Sequence, residues 1–135
     1  MVRRLSLFFG VTAALLTISE MALAHHGSAV SYDTSKLVTM EGTVTEFQWR
    51  NPHVYILYDV KDPQGNVVTW GAETHSPVAC EDQDGWTKST LKPGDKITIS
   101  VFQSKIKTPR GLLAKIVLNG KVIIDDTGRG RQPGQ

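Results

Sequence analysis

From Val38 the chain alternates. Val38, Met40, Gly42 and Val44 are interleaved with Thr39, Glu41, Thr43 and Thr45, the period-two pattern of a strand with one buried face. The apolar phase then slips to Phe47 and Trp49, so a bulge near Thr45-Glu46 is predicted to return both to the core side. Asn51-Pro52 ends the strand. A second strand is predicted over His53 to Val60, with Val54, Ile56, Tyr58 and Val60 on its inner face. Asp62-Pro63-Gln64-Gly65-Asn66 is rich in turn formers, and Val67 to Thr74 form a third strand with Val68, Trp70 and Ala72 inside.

The pattern then changes. Ser76-Pro77 reads as N-cap and first helical residue, and Gly85 as the stop of a short helix ending near Asp84. Ile97, Ile99 and Val101 mark a fourth strand after the Leu91-to-Asp95 turn, and Lys105 to Gly111 form a basic loop. Leu112 to Leu118 make a fifth strand, and Asn119-Gly120 is a strong hairpin turn into a short strand from Lys121 to Ile124. The predicted class is all-β with one short helix, in the order β-β-β-α-β-β plus a last short strand. A long bent first strand and a helix between strands three and four match an OB-like barrel of five to six strands. A small β-sandwich is the alternative.

Residues 1–24 carry a different pattern. Arg3-Arg4 precede an apolar run from Leu5 to Ile18, and Ala22-Leu23-Ala24 is a small-x-small cleavage signature. A run of that length falls short of the roughly 20 residues that span a bilayer. The expected organisation is therefore a cleaved secretory signal (1–24), an extended arm (25–37), the barrel (38–124) and a disordered tail (125–135). The expected location is the periplasm or the exterior, with no stable membrane anchor after cleavage. Cleavage removes two of 15 basic and one of 13 acidic residues, leaving a net charge of +1. That balance argues against nucleic acid as a partner. A single Cys, Cys80, excludes an internal disulfide or a multi-Cys zinc module, and it reads as a packing residue of the helix.

Strand alternation puts His53, Tyr55, Leu57 and Asp59 outside the barrel, with Thr69, Gly71, Glu73 and His75 on the same outer face. Pairing Lys61 with Val67 sets His53 opposite His75 and Tyr55 opposite Glu73. Opposed Cβ atoms lie roughly 4.5–5.5 Å apart, close enough for two imidazoles to share an ion. Cleavage after Ala24 would make His25 the first residue, and its amine and ring nitrogen together chelate Cu(II). Nitrogen-rich tetragonal sites favour that ion. The candidate metal ligands are His25, His26, His53 and His75, with Tyr55 and Glu73 as additional donors. Blander roles stand beside these: a polar start for His25-His26, a loop-carbonyl partner for His53, and a residue at the helix start for His75. Lys105, Lys107 and Arg110 read as a solvated loop or as contacts to an anionic ligand.

The chain also resembles a family of small exported bacterial proteins of unknown function. The residues carrying the resemblance are His25-His26, Gly42-Thr43-Val44, Trp49-x-Asn51-Pro52-His53, Trp70, Ser76-Pro77, Gly85-Trp86-Thr87 and Leu91-Lys92-Pro93-Gly94-Asp95. The resemblance implies an exported OB-like domain and supplies no catalytic residues. No Ser-His-Asp order, phosphate loop or HExxH motif is present. The expected function is a non-enzymatic binding domain for a metal ion such as copper, a small ligand or an envelope protein partner, using the outer face of strands two and three. The alternatives are a copper-dependent oxidoreductase or copper carrier with an N-terminal histidine brace, and a structural envelope protein.

Overall fold

The structure, a computed structural model, describes residues 31–128. Its strands are β1 (Tyr32–Gln48), β2 (Tyr55–Lys61), β3 (Val67–Glu73), β4 (Lys96–Ser104), β5 (Arg110–Leu118) and β6 (Lys121–Asp125), with helix α1 (Pro77–Asp84) between β3 and β4. Neighbours in the sheet run β3-β2-β1-β4-β5-β6, and a parallel β3–β5 pairing closes the first five strands into a barrel. Strand β6 adds to the outer edge of β5. This is a small OB-like barrel, as the alternation predicts. No helix among the described residues is long and apolar enough to cross a membrane.

Strand β1 serves two neighbours, pairing with β4 along its first part and with β2 along its second. Its bulge falls where the apolar phase slips: Val44 faces Tyr58 and Glu46 faces Leu57, leaving Thr45 unpaired. The strand begins at Tyr32, inside the segment read as an arm. A register break between Tyr32 and Leu37 interrupts the alternation there, so the polar run hides the strand.

Val44, Val54, Ile56, Tyr58, Ala72, Ile99, Val101 and Ile116 fill the barrel. Close backbone approach requires glycine at position 111, where a Cβ would sit 2.6 Å from the Val101 side chain. Helix α1 starts and stops as its sequence dictates. The Ser76 side chain accepts from the Ala79 amide, Pro77 opens the first turn, and Gly85 ends the helix at φ 66°. Cys80 is buried on the inner side of this helix, and Trp86, just past the stop, donates its indole N–H to the Ile123 carbonyl at 3.0 Å. Burial raises the Cys80 thiol pKa, so it packs as a protonated apolar residue.

Candidate functional site

Pairing in the β2–β3 hairpin follows the register read from its turn, with Tyr55 opposite Glu73 and Lys61 opposite Val67. Outer-face residues of both strands therefore share one surface. At its open end, Glu73 gathers three donors from three different elements. Tyr32 of β1 donates its hydroxyl to Oε2 at 2.7 Å, and Tyr55 of β2 donates to the same oxygen at 2.8 Å. His53, in the loop before β2, places Nδ1 on Oε1.

The electrostatics fix who donates. Burial alone would raise the Glu73 pKa, but hydrogen bonds from Tyr32, Tyr55 and His53 outweigh it and hold the carboxyl below its ordinary value. An ionised carboxylate only accepts, so His53 carries its proton on Nδ1. In the neutral ring the lone pair then belongs to Nε2. The His53 side chain is 45% exposed, against 16% for Glu73, so the anchor is enclosed while the ring meets solvent. Burial, reinforced by the Glu73 charge, raises the pKa of both tyrosines, which keeps their phenols as donors.

His75 takes a different partner. Beyond Tyr55–Glu73 the ladder becomes irregular: Val54 N–H bonds the His75 carbonyl at 2.8 Å, while Thr74 N–H bonds the Val54 carbonyl at 3.0 Å. The His75 ring lies with Nε2 3.1 Å from Asp126 Oδ2. The two imidazoles thus engage separate carboxylates instead of converging on one ion. Of the predicted site residues, the structure brings together His53, Tyr55 and Glu73, and sends His75 to the segment after β6. His25 and His26 lie outside the described residues. Among the described residues no group of three or more His, Cys, Asp or Glu is placed to hold a metal.

Two site residues escape the alternation. Tyr32 sits where polar Asp33-Thr34-Ser35-Lys36 breaks the pattern, and Asp33 there accepts from both the amide and hydroxyl of Ser35. Its one sequence signal is a lone large aromatic in a polar run. Asp126 falls just after β6, in the segment read as the start of a disordered tail, and its amide donates to the Ala114 carbonyl.

Fold and site together define a small OB-like barrel with a carboxylate-anchored histidine at one end of its first hairpin. The chain belongs to a family of unknown function (DUF6152), which matches residues 13–113. No curated protein matches the chain. Among solved structures it is similar to the mitochondrial single-stranded DNA-binding protein Rim1 from S. cerevisiae, at TM-score 0.47 and 8% identity over 62% of this chain and 92% of that one. It is also similar to a ZRD-deleted mutant of TiaS in complex with agmatine, at TM-score 0.40 and 14% identity over 62% of this chain and 21% of that one.

Proposed function

We propose that the protein is an exported, non-enzymatic binding domain that holds a metal ion, Cu(II) by preference, through His53 on the outer face of the β2–β3 hairpin. The observation that carries this reading is the Glu73 anchor. Metal-binding imidazoles typically donate their second ring nitrogen to a carboxylate, which fixes the tautomer and aims the free lone pair. His53 has that arrangement, with Nδ1 on Glu73 and half its side chain in solvent. Glu73 and Tyr55 then act as positioning residues, because the carboxylate is occupied by three donors and the phenol stays protonated.

One imidazole is not a copper site. The remaining donors we propose are the amine and ring of a processed His25, with His26 as their competitor. Tyr32 follows His25 by seven positions, and its hydroxyl is on the same carboxylate as His53. Seven residues reach about 25 Å when extended, so chain length permits the match. A nitrogen-rich donor set favours Cu(II) among the common divalent ions.

Calorimetric titration with Cu(II) tests the reading on protein beginning at His25, on a version with one added N-terminal Gly, and on His53→Ala. Weaker binding in both altered forms supports a site that uses the terminus and His53 together. Equal affinity in all three overturns it. Loss with the added Gly alone leaves a simple terminal chelate and removes His53 from the site.

A further inference from the structure

We propose that the groove beside this site, on the outer face of β2 and β3, binds a small organic anion with a flat apolar body, its acid group held by Arg50 and Arg110. The groove has a volume of about 550 Å³, and Tyr55, Leu57 and Gly71 contribute to its lining. Arg50 and Arg110, both exposed, lie along it, and Pro109 adds a wall from the β4–β5 loop. No carboxylate lines it. Neither guanidinium forms an ion pair among the described residues. Two unmatched planar cations in an acid-free concavity suit a carboxylate or phosphate, which Arg can bind through paired N–H donors.

The larger concavity, about 770 Å³, is a poor match for the same ligand. Glu41 and Asp59 line it together with Lys61 and Lys96, so its charges balance each other.

Gly71 supports the assignment. It pairs with Leu57 across the hairpin and with Arg110 across the parallel seam. A Cβ there would meet Leu57 alone, at an ordinary 3.5 Å. The barrel therefore does not need glycine at this position, whereas a flat ligand lying on Leu57 and Tyr55 gains from it. Aromatic and aliphatic side chains supply the apolar floor, and the arginines supply charge and orientation.

The proposal is independent of the metal reading and shares only Tyr55 with that site. Its test is an amide NMR titration of the chain beginning at His25 with phenyl phosphate and 3-phenylpropionate, with benzylammonium as the opposite-charge control. The expected result is saturable shifts confined to the groove, centred on Leu57, Gly71 and Arg110, for both anions and not for the cation. Arg50→Gln and Arg110→Gln should each weaken binding by about tenfold or more, as expected for loss of a charge-assisted hydrogen bond. Gly71→Val should abolish binding with the amide spectrum otherwise preserved. Shifts that are absent at millimolar ligand, equal for benzylammonium, or indifferent to both arginine variants would overturn the proposal. So would a ten-residue oligothymidylate that binds more tightly than either small anion, since that would make the groove a nucleic-acid track. Cu(II) affinity should be unchanged in Arg50→Gln, which separates failure here from failure of the metal site.

Discussion

The two faces of the β2–β3 hairpin handle the tyrosine hydroxyl in opposite ways. On the inner face Tyr58 is fully buried, and its hydroxyl has no hydrogen-bond partner among the described residues. At the outer face Tyr55, joined by Tyr32 from β1, places its hydroxyl on one shared Glu73 oxygen. The inner ring is kept for its volume, since it packs with Val44, Ile56 and Ala72. The outer hydroxyls are organised around a charge. An unpaired buried hydroxyl costs stability, while a carboxylate that accepts three donors is fixed in place. Packing alone accounts for the inner face. It does not account for the outer one, where polar groups from three elements meet at one acid.

The largest effect should come from the inner face. Ile56→Ala empties a fully buried position and should cost about 2–5 kcal/mol, read by urea denaturation. A loss below about 1 kcal/mol would mean that β2 does not line the core. Glu73→Gln should cost less, about 1–3 kcal/mol, because three donors lose a charged acceptor. If Glu73→Gln matches the parent, the outer cluster contributes nothing to folding.

Acid sharpens the same contrast. The folded Glu73 pKa lies below its ordinary value of 4.5, so the folded state holds the charge where the unfolded chain takes up a proton. Its stabilisation is complete above about pH 4.5 and disappears as pH falls through the lower folded value. The gap between parent and Glu73→Gln should therefore narrow from pH 7 to pH 3. A constant gap would mean that the cluster acts through packing and not through charge. The smallest change should come from Tyr58→Phe, which removes an unsatisfied hydroxyl and keeps the ring. Stability should stay level or rise by up to about 1 kcal/mol, seen as an unchanged or higher melting temperature. A clear loss would show that the hydroxyl is bonded after all.

Most of the inner face is legible in the sequence because period-two alternation records burial directly. It gives the inward set Ile56, Tyr58 and Ala72, the bulge at Thr45, and the hairpin register that sets Tyr55 against Glu73. Helix α1 is equally legible, since Ser76, Pro77 and Gly85 each carry a local backbone reason for their place. The outer cluster is legible only in part. Alternation shows which side chains face out, but it cannot show that Tyr32 reaches the same carboxylate across 41 positions. Nor can it show that the ladder loses its regularity beyond Glu73 and lets His75 turn to Asp126. Both depend on how barrel closure brings chain ends together, which local pattern does not encode.

In the function we propose, Glu73 presents His53 to a metal ion. Pulsed EPR of the one-equivalent Cu(II) complex, with ¹⁵N-labelled histidine in the chain beginning at His25, tests it most directly. His53→Gln should remove one imidazole nitrogen from the copper coordination sphere, and His75→Gln should leave the spectrum unchanged. Identical spectra for the parent and His53→Gln would contradict it.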